Sequence, residues 1–249
     1  MAGDRDRPVV ALIPPSCCGA GYFRGLRRAL GDRVDARVAE LPGHGRRHAE
    51  PPLTDAALAV RDVAGRLSGA AIGIERPSGA AVGERPSGVA VDAVYGESLG
   101  AYLGLALAGV FPRVPLLLVA SNSPPSARPP APEGGAVTLE AAVAALTGMG
   151  AEISGQVLAD PELGGRTRAM IFGDLRLSWS AIEATRTARV AADVHVLAGT
   201  GDRAAVALEG WAAHTTGRCE VSRIPGGHLL SAENPEGVAR WMVRALARR

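Results

Sequence analysis

Residues 96–100, Gly96-Glu97-Ser98-Leu99-Gly100, separate two apolar stretches of different character. Residues 89–95 are rich in β-branched side chains and read as a buried strand; residues 101–110 are helix-permissive and stop at Phe111-Pro112. A strand that turns into a helix within five residues must bring the two backbones close together. Glycines two residues either side of the serine permit that approach, and the serine at the apex takes a strained backbone. This context turns a common pentapeptide into a nucleophile elbow. In a chain with 32 glycines the pentapeptide alone says little. The Leu99 N–H then faces the space before Ser98 Oγ, at a helix N-terminus that favours developing negative charge.

A serine at neutral pH attacks poorly until a base takes its proton, and the base needs an orienting carboxylate. Of five histidines, His228 follows a strand-like stretch (219–224) and two glycines, Gly226 and Gly227, in an open turn that lets an imidazole swing over the serine. His44 and His48 precede Ser98 and sit among arginines, which reads as solvated surface. His195 falls in an apolar run and reads as an ordinary strand residue, His214 as a helix position. For the acid, Asp202 stands among glycines after the strand-like 194–198, where open α/β sheets place functional groups. It also suits a turn or helix cap, and the two roles are compatible. A second amide donor is expected from the loop after the first strand, Pro14-Pro15-Ser16-Cys17-Cys18-Gly19, through the backbone of Ser16 or Cys17.

Strands are predicted at 9–13, 34–39, 89–95, 116–120, 194–198 and 220–224. Helices are predicted at 23–30, 54–67, 99–110, 204–214 and 235–247, the last capped by Asn234 with Pro235 in its first turn. The alternation predicts an α/β fold, a mostly parallel sheet with helices on both faces. Two stretches interrupt it. Residues 75–82 recur almost verbatim at 84–91, too few copies for a solenoid, and read as a duplication in the loop before the serine's strand. Residues 123–189 open with five prolines, turn helical with an amphipathic section at 137–146, and read as a helical lid. That divides the chain into core at 1–122, lid insertion at 123–189 and core at 190–249. Leu139, Val143, Leu146, Met149, Ile153, Leu158, Met170, Ile171 and Phe172 are the lid's candidate pocket residues.

At 249 residues and 47% apolar composition the chain can bury one sizeable core. A net charge of +2 gives no reason to expect nucleic acid, and three cysteines, two of them adjacent, make no disulfide framework. No metal-ligand spacing is present. The first residues lack the apolar core of a signal peptide and no run is long enough to span a bilayer, so the expectation is a cytoplasmic protein without membrane contact.

With these residues in place the chain resembles the type II thioesterases of polyketide and non-ribosomal peptide pathways, within the α/β-hydrolases. The resemblance covers nearly the whole chain. Residues 13–23 are similar to the family's F-P-H-A-G-G-S-A-x-x-[YF] loop, Leu41-Pro-Gly-His-Gly-Arg-Arg47 to its L-P-G-R-G-x-R segment and 95–101 to F-G-H-S-M-G-A; 198–202, 211–216 and 224–230 resemble its acid loop and closing stretch. Carried over by position, the resemblance implies Ser98 as nucleophile, His228 as base, Asp202 as orienting acid, and the Leu99 and Ser16 amides as oxyanion hole. It implies an α/β-hydrolase fold, a monomer without a cofactor of its own, and an editing hydrolase that clears acyl or aminoacyl thioesters from the phosphopantetheine arm of an acyl or peptidyl carrier protein. Arg27, Arg28, Arg46 and Arg47 are candidate contacts to an acidic carrier. Three departures stand out: Glu97 where the family has His, Cys17-Cys18 for Gly-Gly, and an acid loop without flanking acidic residues. Glu97 is expected to act on the base or on acyl preference. A releasing or cyclising thioesterase, a small-molecule ester hydrolase and a non-catalytic binding or chaperone partner of a synthase remain alternatives.

Overall fold

A computed structural model of the protein describes residues 7–67, 91–111, 114–132 and 137–248. Both copies of the repeat, save Val91, and the first six residues lie outside the described residues. Six parallel strands, β1 (Val9–Ile13), β2 (Asp35–Val38), β3 (Ala93–Glu97), β4 (Leu116–Ala120), β5 (Asp193–Gly199) and β6 (Cys219–Ile224), form one sheet in the order β2-β1-β3-β4-β5-β6. The chain starts inside the sheet, steps outward to β2, then crosses back to lay β3 on the other side of β1. That reversal leaves a crevice beyond the C-terminal ends of β1 and β3, where sheets of this kind bind ligands.

Helices cover both faces, so the inner strands are apolar in nearly every position, as burial on two sides requires. On one face Ala11, Ile13, Val94, Leu117, Val119, Val194 and Val196 pack with α2 (Ala56–Leu67), α3 (Leu99–Val110) and α6 (Leu163–Thr185). On the other, Val10, Leu12, Ala93, Tyr95, Leu116 and Leu118 pack with α1 (Arg24–Leu30) and α8 (Pro235–Ala247). Neighbours in sequence alternate between the two cores with the period of the pleat.

The stretch between β4 and β5 carries α4 (Leu139–Gly148), α5 (Gly155–Ala159) and α6. Thr138 caps α4, its hydroxyl accepting the Ala141 N–H at 3.2 Å. The C-terminal half of α6 belongs to the main core through Leu177, Ala181 and Ile182. Asn234 caps α8, accepting the Gly237 N–H at 3.0 Å, with Pro235 following. A helix does not fill 204–214: a 3₁₀ segment covers only Leu208–His214. Asp202 accepts the Ala204 and Ala205 amides as a helix cap would, but the Val206 amide is diverted to Ser123 Oγ and Ala207 turns left-handed at φ 52°, so the turn does not continue as a helix.

Candidate active site

Ser98 sits one residue beyond β3 and one before α3, with φ 54° and ψ −118°. A non-glycine residue at positive φ is strained, and its neighbours hold it there. The Ser98 N–H donates to Ala120 O at 3.0 Å, and its carbonyl accepts from Asn122 Nδ2 at 2.6 Å. A Cβ at Gly96 would strike the Gly100 carbonyl, and one at Gly100 would strike that of Ile13. Both glycines are therefore required by close approach, as the pentapeptide suggested.

His228 Nε2 lies 3.0 Å from Ser98 Oγ, and its Nδ1 lies 3.0 Å from Asp202 Oδ2. Asp202 Oδ1 accepts the Ala204 and Ala205 amides at 2.8 and 3.3 Å, so this carboxylate caps the following turn and orients the imidazole together. Burial opposes its ionisation, yet the His228 hydrogen bond and charge and the two amides hold it below the ordinary aspartate range. With a carboxylate on Nδ1, that nitrogen carries the proton and Nε2 is left to accept from the serine. Glu233 steadies the loop: its carboxylate accepts the Gly227 N–H at 2.5 Å and the Leu229 N–H at 3.1 Å.

Ser98 and His228 open onto a cavity of about 160 Å³, lined also by Ser16, Cys17, Leu99 and Tyr102 and, from the segment after β4, by Ala142, Leu146, Met149, Ile171, Asp174 and Trp179. Among the lid candidates, Leu146, Met149 and Ile171 line it; Leu139, Val143, Ile153, Leu158, Met170 and Phe172 do not. Leu99 opens α3, whose first N–H groups have no helical acceptor. Of the two candidates on the β1 loop, the Cys17 N–H is already given to Asp174 Oδ2 at 2.5 Å, which leaves Ser16.

Three expectations change. Glu97 is fully buried on the far side of its strand and does not line the cavity; it accepts from Tyr22 Oη at 2.8 Å, Tyr95 Oη at 3.0 Å, and Ser231 Oγ and N at 2.5 and 3.2 Å. Its place as last residue of β3 sends its side chain toward α7 (Leu230–Glu233), opposite the serine's pocket. Burial pushes its carboxyl above the ordinary glutamate range against those hydrogen bonds.

His44 is not solvated: it is 3% exposed, with Nδ1 3.0 Å from Pro42 O and Nε2 2.9 Å from Asp174 Oδ2. Gly43 and Gly45, both at positive φ, fold it inward. Burial works against its charge, but the Asp174 hydrogen bond and charge and the Pro42 carbonyl prevail and raise its pKa. Arg47, offered as a carrier contact, is 8% exposed and clamped by Glu50 and Asp62, with its nearest oxygens at 2.6 Å, so it cannot reach a partner. Arg27, Arg28 and Arg46 are exposed. His214 is a helix position, the last of the 3₁₀ helix, and is buried between Ala188 O at 2.9 Å and Ser126 Oγ at 3.0 Å. The Cys17 and Cys18 thiols are held protonated, first by burial and then by nearby carboxylates; Cys18 is pushed up to about 12.

A parallel sheet that delivers serine, carboxylate and histidine in that order from the C-terminal ends of β3, β5 and β6 is the arrangement of a serine-dependent α/β hydrolase. The sequence model of the alpha/beta hydrolase family matches residues 10–241, and the chain belongs to that family. No curated protein matches it by sequence. Among solved structures it is similar in fold to ClbQ from the colibactin NRPS/PKS pathway (17% identity, 97% of this chain and 98% of that one, TM-score 0.75). It is similar too to the type II thioesterase BorB from the borrelidin cluster (21%, 98% and 92%, 0.71). A third is the RedJ thioesterase from the prodiginine pathway of Streptomyces coelicolor (20%, 96% and 90%, 0.70). Among the described residues, no helix is long and apolar enough to cross a membrane.

Proposed function

We propose that this protein is a serine thioesterase that hydrolyses short acyl or aminoacyl thioesters carried on the phosphopantetheine arm of a carrier protein, an editing role in polyketide or non-ribosomal peptide assembly. The observation that carries the reading is the relay Ser98–His228–Asp202, two contacts of 3.0 Å each, opening on a largely apolar cavity. The fold shared with thioesterases of carrier-based pathways supports the choice of thioester over other acyl bonds.

In this reading Ser98 Oγ attacks the thioester carbonyl as its proton passes to His228 Nε2. The Leu99 and Ser16 amides take the negative charge on the carbonyl oxygen. His228 returns the proton to the departing pantetheine sulfur, and the acyl group stays on Ser98. Water then gives a proton to His228 as it adds to the acyl carbon, and collapse restores the Ser98 hydroxyl and releases the free acid. No cofactor enters; the phosphopantetheine is part of the substrate. A cavity of about 160 Å³ suits a short acyl chain rather than a long one. The exposed Arg27, Arg28 and Arg46 are the contacts offered to an acidic carrier.

The test compares one acyl group as carrier thioester, free pantetheine thioester and simple oxygen ester. The reading expects kcat/KM to fall in that order. An oxygen ester turned over as fast as the carrier thioester contradicts it in favour of a small-ester hydrolase.

A further inference from the structure

Ser16 and Cys17 are the central residues of a β-turn after β1, closed by the Cys18 N–H donating to Pro15 O at 3.3 Å. Cys17 takes φ 62° there, in the position where a glycine is at ease and a residue with a Cβ is strained. In such a turn the peptide between the two central residues faces the opposite way from the one an ordinary residue prefers. A contact from outside the turn has to hold it so.

That contact is Asp174, 1% exposed on α6 and 157 positions away in the chain. Its Oδ2 accepts the Cys17 N–H, the hydrogen of the central peptide itself, at 2.5 Å. A carboxylate accepting a backbone amide makes one of the stronger, charge-assisted hydrogen bonds. The same oxygen takes His44 Nε2 at 2.9 Å, while His44 Nδ1 lies 3.0 Å from Pro42 O. With both ring nitrogens on oxygens, His44 has the arrangement of an imidazolium and keeps Asp174 ionised and aimed. On its other side the turn is entered through Pro14 and Pro15, whose rings fix φ. Ser16 is thus held from before and from behind, and it lines the cavity with Ser98 and His228.

We propose that Asp174, with His44 behind it, is a positioning residue for the oxyanion hole: by holding the Cys17 N–H it fixes the Ser16–Cys17 peptide and keeps the Ser16 amide on the substrate's carbonyl oxygen. The inference rests on the thioesterase reading and adds how one of its two amide donors is kept in place. Asp174 touches no reacting atom. Without its bond the strained peptide turns over and the Ser16 donor leaves the line of the carbonyl; one such donor is worth about 10²–10³ in kcat.

The experiment uses a short acyl-pantetheine thioester and a boronic acid of the same chain, which forms a tetrahedral anion on Ser98. Asp174→Ala is expected to lower kcat by about 100-fold or more with KM little changed, and to weaken the boronic acid by a similar factor. Asp174→Asn keeps an oxygen on Cys17 and His44 without the charge, and is expected to lose only about three- to tenfold in kcat. Binding of the intact thioester to Ser98→Ala is expected to stay the same when Asp174→Ala is added, an outcome that a disordered pocket would not give. Rates are compared per folded molecule, from thermal melts. Should Asp174→Ala fail to fold, Asp174→Asn carries the test, with kcat and boronic acid affinity falling together and KM unchanged. Variants as fast as an active wild type overturn the inference and leave the thioesterase reading standing. A loss confined to KM, or matched by loss of the intact thioester from Ser98→Ala, overturns it in favour of a role in shaping the pocket. A wild type that turns over no thioester overturns the thioesterase reading and this inference with it.

Discussion

Ser231 donates to Glu97 twice, through its hydroxyl at 2.5 Å and its amide at 3.2 Å, and so ties the residue before the nucleophile to the residue three past the base. Tyr22 and Tyr95 complete the shell around the carboxyl. Glu97 therefore holds the strand that carries Ser98 against the loop that carries His228, without touching the cavity.

Its raised pKa fixes the sign of a pH effect. A carboxyl that holds its proton more tightly when folded lets the native state bind more protons than the unfolded one. Stability then falls as pH rises from the ordinary glutamate range through the folded value. Glu97→Gln, whose amide NH₂ can donate to the two hydroxyls, is expected to keep the fold and flatten that slope in urea melts taken across pH. Glu97→Leu strands the Tyr22 hydroxyl and the Ser231 amide and leaves the Tyr95 and Ser231 hydroxyls only each other, and is expected to cost about 3 kcal/mol.

Asp202→Asn removes the carboxylate that keeps the His228 proton on Nδ1. Loss of about 10⁴-fold in kcat is expected with little change in KM, by analogy with the same change in serine proteases. Steady-state kinetics beside a thermal melt checks this. A loss under tenfold would mean another group orients His228.

Asn122 is a group the sequence did not announce. It donates to Ser98 O, accepts from Tyr102 Oη at 2.8 Å, and its own carbonyl accepts from Trp211 Nε1 at 3.0 Å. Asn122→Ala releases the strained serine, leaves its carbonyl without the Nδ2 donor and leaves the Tyr102 hydroxyl only the Ser123 carbonyl. The expected outcome is a loss of about 1–3 kcal/mol in chemical denaturation, with kcat reduced more than KM.

Gly199 closes β5 where the acid loop meets the histidine loop, and a Cβ there would strike the carbonyls of Gly226 and Gly227. Gly199→Ala is expected to push Asp202 and His228 apart, costing about 1–3 kcal/mol in stability and most of the activity. Unchanged melting and turnover would show that the two loops yield freely.

The sequence disclosed what depends on local pattern. The elbow around Ser98, the Asn234 cap and the sheet's strands are written in runs of adjacent residues, and strand ends moved by only a few positions. Long-range partnership was not legible. His44 sits among arginines in the chain, yet its partner lies 130 residues away on α6. Arg47 looked available because Asp62 lies fifteen positions on, around a turn no motif marks. Glu97 adjoins Ser98 in sequence and so reads as a group acting on the base or on acyl preference, although successive residues leaving a strand face opposite sides of the sheet. The segment 204–207 carries helical composition, and the distant Ser123 hydroxyl, which takes the Val206 amide, together with the left-handed Ala207 ends the turn that Asp202 caps.

The most direct measurement is the intact mass of acyl-loaded carrier proteins incubated with the wild-type protein and with Ser98→Ala. The account predicts that the wild type alone strips the acyl mass, leaving holo carrier and free acid, with an acyl-enzyme on Ser98 visible at early times. Carriers that keep their acyl mass across a varied panel of short chains, or lose it equally with Ser98→Ala, would contradict it.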